Sequence, residues 1–178
     1  MFDPRTVPVE IGCYLAGFAD GEGSFNVSFR RRGRGYRFPW RVSACFNISQ
    51  KDKVILALFE RHLRCGRLRS RPDGVWYFEV NSLRALRENV IPFFNRYRFL
   101  SAKKKRDFSK FQQLVEILER GGFDNKAAIR QILAVRRDMN DGGKRKFEER
   151  DILGAIPDDP ESSETIRRTR AKIADRAG

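Results

Sequence analysis

Apolar and polar positions along this chain switch several times between a helical and a strand-like period. Ile11, Tyr14, Leu15 and Phe18 fall at i, i+3, i+4 and i+7, the stripe of a buried helix over residues 8–20. SFNVSFR then alternates strictly, with Phe25, Val27 and Phe29 on one side and Ser24, Asn26, Ser28 and Arg30 on the other. RVSACFNIS repeats the pattern: Val42, Ala44, Phe46 and Ile48 oppose Arg41, Ser43, Cys45, Asn47 and Ser49. The cationic, glycine-punctuated RRRGRGYR between them completes one long hairpin. Asp52 caps a helix with apolar Ile55, Leu58, Phe59 and Leu63, ended by Gly66. In a second hairpin RLRSR sets Arg67, Arg69 and Arg71 on one side and PDG turns. VWYFEV returns with Trp76, Phe78 and Val80 inward and Tyr77 and Glu79 outward. Short helices are predicted over 82–90 and 92–98. A longer one runs from about Ser101 through Phe108, Phe111, Leu114, Val115 and Leu118 to a Gly121-Gly122 stop. Asp124 caps a further helix, AAIRQILAVRRDM, while KRKFEER and PDDPESSET have low apolar content and IRRTRAKIADR reads as a short, fraying helix.

The order helix, two strands, helix, two strands, helix predicts an α+β fold with an αββαββα core. Its two hairpins form one antiparallel sheet, and the helices pack on one face. The other face is then open, and it is uniform in kind: arginines, serines, asparagines and a tyrosine. A merely solvated sheet would mix lysine, glutamate and threonine. Such a face suits hydrogen bonding to base edges and phosphates in a wide groove. The predicted division is a core over 1–122 and a helical extension over 123–178, with no internal repeat.

Composition narrows the function further. The 178 residues carry a formal net charge of +14, with arginine outnumbering lysine, which points to a polyanionic partner held by planar, bidentate contacts. No lysine-rich amphipathic face suggests a membrane surface, and no apolar run approaches spanning length, so a soluble, intracellular protein without a leader is expected. Three cysteines, Cys13, Cys45 and Cys65, are read as free thiols. The single histidine, His62, excludes Ser-His-Asp hydrolysis, histidine-based nucleases and His/Cys zinc sites. It falls in the apolar register of the second helix and is read as structural.

One stretch does not fit ordinary packing. In YLAGFADGEGSF, Gly17 lies inside the first helix, where glycine costs about 1 kcal/mol relative to alanine, and the helix runs into Asp20 and Glu22 among glycines. A calcium loop starting at Asp20 would need glycine and glutamate where Phe25 and Arg31 stand, so that reading fails. Tyr14 to Gly23 resembles the motif that names the LAGLIDADG homing endonucleases: Leu15, Ala16, Gly17, Asp20 and Gly23 are identical, and Phe18, Gly21 and Glu22 are common replacements. FNISQKDK, PFFNRYRFLSAKKKRDFSKFQQLVEIL, MNDGGKRK and SSETIRR are similar to other parts of the single-motif branch, so the resemblance covers most of the chain.

The resemblance implies a homodimeric, intron-encoded DNA endonuclease whose sheet is a DNA-binding saddle. Tyr14, Ala16 and Gly17 would line a helix–helix seam across a two-fold axis. Glu22 would bind Mg²⁺, with the Gly21 carbonyl and, ranked lower, Asp20 at the same site. Gln50 would order the attacking water, and Lys103 or Lys104 would stand by the scissile phosphate, with Lys105 a further candidate. An arginine of relatives is replaced by Val54, beside Lys53. Ser28, Arg30, Arg32, Arg41, Ser43, Asn47, Arg67, Arg69, Arg71 and Tyr77 are expected groove contacts, and Lys144 and Lys146 backbone-phosphate contacts from the extension. The implied reaction is metal-dependent phosphodiester hydrolysis, cutting both strands with a stagger in a pseudo-palindromic duplex of roughly 20 base pairs. The alternative is a non-cleaving relative of the same fold, an RNA maturase bound to intron RNA or a DNA-binding regulator. Retention of Glu22, Gln50 and the lysines favours the enzyme.

Overall fold

The computed structural model describes residues 2–33, 36, 38–121, 126–140 and 146–156. After a single 3-10 turn at Pro4–Thr6 come α1 (Val9–Glu22), β1 (Ser24–Arg31), β2 (Trp40–Gln50), α2 (Lys53–Leu63), β3 (Arg67–Ser70) and β4 (Trp76–Val80). A nearly continuous helical run follows: α3 (Leu83–Ala85), a π-helical turn (Leu86–Val90) and α4 (Ile91–Arg96). It is completed by α5 (Ala102–Glu119), α6 (Lys126–Arg137) and α7 (Glu149–Gly154). The sheet is antiparallel in the order β1-β2-β4-β3. This is the expected α+β arrangement.

Strand alternation sets which face is filled. Phe25, Val27, Phe29, Ala44, Phe46, Ile48, Phe78 and Val80 are buried beneath the helices. Phe25, the second residue of β1, is the hub: its ring lies 4.9 Å from Phe111, 5.1 Å from Phe46, 5.3 Å from Phe108 and 5.8 Å from Phe99. Each such ring contributes about 1.5–3 kcal/mol through burial, so the strand leaving the motif is fixed where its neighbours must be positioned.

Helix α1 is rotated relative to its predicted stripe. Gly12, Leu15, Ala16 and Ala19 face the core, whereas Tyr14 is 57% exposed. The small residues explain this, because they let the backbone approach closely. A side chain at Gly12 would occupy the space of the Tyr97 ring, whose hydroxyl donates to the Val7 carbonyl at 2.7 Å. The helix also continues through Asp20 to Glu22 rather than stopping at residue 20.

Other departures have local causes. The predicted break before Pro92 is a π turn instead, which leads into α4 with the proline in its first turn, where the missing N–H is tolerated. The sequence reading missed α7, a six-residue helix closed by a capping box between Glu148 and Asp151 and holding one buried apolar residue, Ile152. Its Ile152 carbonyl accepts from Trp40 Nε1 at 3.1 Å, and Ile129, Ile132, Leu133 and Met139 join the same core. The predicted cap at Asp124, the helix over IRRTRAKIADR and Lys144 lie outside the described residues.

Candidate active site and nucleic-acid interface

The end of α1, the end of β2 and the start of α5 meet at one edge of the sheet. Ser24 pairs with Asn47, so the last residues of β2, including Gln50, run alongside the turn that carries Glu22 and Gly23. From α5, Lys104 Nζ donates to the Gly23 carbonyl, and among the three lysines Lys104 is half-buried against the motif while Lys103 and Lys105 are exposed.

Asp20 holds this junction together. One carboxylate oxygen accepts from Leu100 N at 3.0 Å and Ser101 N at 2.9 Å, and the other accepts from Ser101 Oγ. Ser101 Oγ also caps α5 by accepting from Lys104 N at 3.2 Å. Burial pushes the Asp20 carboxyl up, but these hydrogen bonds and the Lys104 charge outweigh it and leave the group below its ordinary value. Both of its oxygens are therefore engaged by Leu100 and Ser101.

Glu22 is the opposite case. It is exposed at the last position of α1 and makes no hydrogen bond or salt bridge among the described residues. Gly21, also exposed, has space around it and lies in the terminal turn, whose carbonyls lack intrahelical partners. Burial pulls the Lys104 pKa down, against Asp107, Asp20 and Glu22, whose charges favour the ammonium. Asp107, 2% exposed, is a residue the sequence reading missed, although an acid among Phe108, Phe111 and Leu114 is itself a signal. It accepts from Asn140 N at 3.3 Å, and the Asn140 amide reaches the Phe25 carbonyl at 2.9 Å. Gln50 is half-buried, its Oε1 accepting from Lys51 N at 2.8 Å, and Lys53 Nζ lies 4.6 Å from the Trp76 ring opposite it. Val54 is 67% exposed at the start of α2.

On the open face, cross-strand register stacks the expected groove residues into rows. Arg30 pairs with Arg41, Ser28 with Ser43, and Asn47 with Glu79, which in turn pairs with Arg67. Tyr77 stands between Ser49 and Arg69, and Arg71 donates to its hydroxyl with the guanidinium 5.0 Å from the ring. Arg32 packs 5.1 Å from the Tyr36 ring. Like charges directly opposite across strands destabilise a sheet, yet neither Arg30 nor Arg41 has a carboxylate partner among the described residues. Beyond the far end of β1, Lys146 lies 5.6 Å from the Phe147 ring and helps line a cavity of about 510 Å³ with Arg30, Arg31 and Arg136.

The exposed face of α1 carries Glu10, Cys13, Tyr14, Gly17 and Gly21, and nothing lies within 4 Å of a side chain built at Gly17. Ala16, expected on the same face, is 3% exposed and packs into this chain's own core. Of the large apolar residues left open, Val9 and Tyr14 lie on α1 and Leu100 is bonded to it through Asp20, while Val54 is on α2 and Tyr36 lies between β1 and β2. Among the described residues no group of three or more metal-ligating His, Cys, Asp or Glu exists, and no helix is long and apolar enough to cross a membrane.

The family described as LAGLIDADG endonuclease matches residues 15–115. The homing endonuclease I-ApeII of Aeropyrum pernix is 30% identical over 153 residues, covering 82% of this chain and 90% of its own length. The probable intron-encoded endonuclease 2 of Neurospora crassa is 27% identical over 157 residues, and there the match spans only 34% of the relative. Among solved structures, the archaeal intron-encoded homing endonuclease I-Vdi141I in complex with DNA superposes with a TM-score of 0.73 at 25% identity, covering 82% of this chain and 93% of that one.

Proposed function

Since the chain belongs to the LAGLIDADG endonuclease family, we propose that it is a homodimeric, site-specific DNA endonuclease of the intron-homing type. The observation that carries this reading is the Glu22 carboxylate, exposed and without a hydrogen-bond or ion-pair partner among the described residues, held beside Lys104 at the edge of an arginine-rich sheet. The donor set fits Mg²⁺, which takes hard oxygen ligands and retains several waters: Glu22 and the Gly21 carbonyl are open, whereas Asp20 is engaged by Leu100 and Ser101. Mg²⁺ would supply Lewis acidity and a lowered pKa for a bound water.

The chain's own residues do the rest. Asp20 fixes the start of α5 and so positions Lys104, whose ammonium faces the place where charge gathers on a phosphate. Gln50 is placed to orient a water at the same edge. One subunit offers one open carboxylate. The exposed glycine on α1 and the apolar residues around it suit close packing with a second copy, which would bring two Glu22 side chains together about a two-fold axis. Two such sites cut the two strands with a stagger, and each sheet reads one half of a pseudo-palindromic target of roughly 20 base pairs.

The test is a randomised duplex library incubated with protein and Mg²⁺, with Glu22→Gln in parallel. Wild type should leave discrete staggered ends at one pseudo-palindromic site, while Glu22→Gln captures the same site uncut. Substantial cutting by the variant would remove Glu22 from the reaction. Enrichment without any cutting by wild type would replace the enzyme with a binder, to be tried next on folded intron RNA.

A further inference from the structure

The four strands contain a single acidic residue among the described positions, Glu79. It stands on the open face in the row Asn47–Glu79–Arg67, half-buried, with Arg69 farther along the edge strand and Arg71 just past its end. A carboxylate there costs affinity for any polyanion, so its placement asks for a compensating contact. The described residues do not provide one. Glu79 Oε1 accepts only from the Cys45 thiol, at 3.7 Å, and no salt bridge forms with Arg67 across the strands or with any other described residue. Burial and the adjacent carboxylate push the Cys45 thiol up to about 11, so it stays a protonated donor, and Asn47 closes the other side by donating to its sulfur at 3.8 Å. These weak contacts fix the carboxylate and leave most of its acceptor capacity facing outward.

Resting on the reading of this sheet as a DNA-binding face, the geometry points to Glu79 as a specificity residue that demands cytosine at one position in each half-site. In the major groove an ionised carboxylate accepts from the cytosine N4 amino group. Guanine presents the acceptors O6 and N7, thymine presents O4, and adenine sets the N7 acceptor beside its amino group, so each of these meets the carboxylate with repulsion. Glu79 pairs with Asn47, which pairs with Ser24, two residues after Glu22, and this puts the base in the inner part of the half-site. The residue thus rejects wrong sequences more than it adds binding.

The experiment is capture of bound duplexes from a randomised library by the full chain and by Glu79→Gln, reading base frequencies at every position. Wild type should prefer cytosine at one symmetric pair of inner positions by about tenfold to a hundredfold. In Glu79→Gln that preference should move to adenine, whose N6 and N7 match an amide in both donor and acceptor, with all other positions unchanged. A wild-type site without inner cytosine, or a variant profile identical to wild type, overturns the inference and leaves the proposed activity standing. A wild-type profile flat at every position sinks both.

Discussion

At the scale of single residues, the two acids of the motif have separate employments. Asp20 is consumed by Leu100 N, Ser101 N and Ser101 Oγ, so it acts on the site through the start of α5. Glu22, two residues on, has no such partner among the described residues. Lys104 joins them from a helix far away in sequence. Replacing Lys104 with Met should leave the fold and target binding nearly intact but lower single-turnover cleavage by about a hundredfold, the range for a group acting on the reacting centre. Lys103→Met should cost far less. Equal losses from both variants would show that Lys104 contributes only general positive charge. The sign of the Lys104 shift adds a check on stability. Its folded pKa lies below the ordinary 10.5, so the folded state disfavours the charged form at neutral pH. That cost is relieved as pH rises from the folded value toward 10.5, and Lys104→Met should remove this part of the alkaline dependence in denaturant melts.

At the scale of elements, α1 has two faces with opposite demands. Gly12, Ala16 and Ala19 serve its own core, and Gly12 specifically admits the Tyr97 ring. Gly17 is exposed, and a side chain there would meet none of the described residues. A glycine that weakens a helix by about 1 kcal/mol without an internal reason implies an external one. Gly17→Glu should therefore leave the circular dichroism and melting of the subunit unchanged or slightly improved. In sedimentation it should be a monomer where wild type is a dimer, and its double-strand cleavage should fail. A variant that remains dimeric would exclude this face as the seam.

At the scale of the whole molecule, positive charge is concentrated where the sheet is open. Arg30 opposite Arg41 and the arginine series on β3 put like charges together, an arrangement that counter-ions or phosphates must offset. Binding to the selected duplex should accordingly weaken by at least about a thousandfold between 50 and 200 mM salt, as expected for a protein neutralising six or more phosphates. A slope near zero in filter or fluorescence titrations would contradict a phosphate-based interface. The described part of the C-terminal segment shares the core of the rest through Trp40, Ile129 and Ile152, so removing it should unfold the far end of the first hairpin as well.

Much of this was determined by the sequence alone. Strict alternation in SFNVSFR and RVSACFNIS specifies faces because a one-residue slip would bury arginine, and Asp52 caps α2 as a local hydrogen bond to Val54 N at 2.8 Å. The motif, the αββαββα order and the arginine face are local patterns for the same reason. What tertiary structure decided are matters of rotation and approach. Ala16 turns inward and Tyr14 outward because small residues on one side of α1 let it sink toward the core, a preference that apolar spacing does not encode. Three consecutive lysines are equivalent in sequence, and only the docking of α5 on Asp20 brings Lys104, rather than its neighbours, against the Gly23 carbonyl. Glu79 reads as one more polar strand residue until the fold sets it opposite Arg67 without a salt bridge to that arginine or to any other described residue, since pairing across strands is set by the fold and not by the neighbours in the chain.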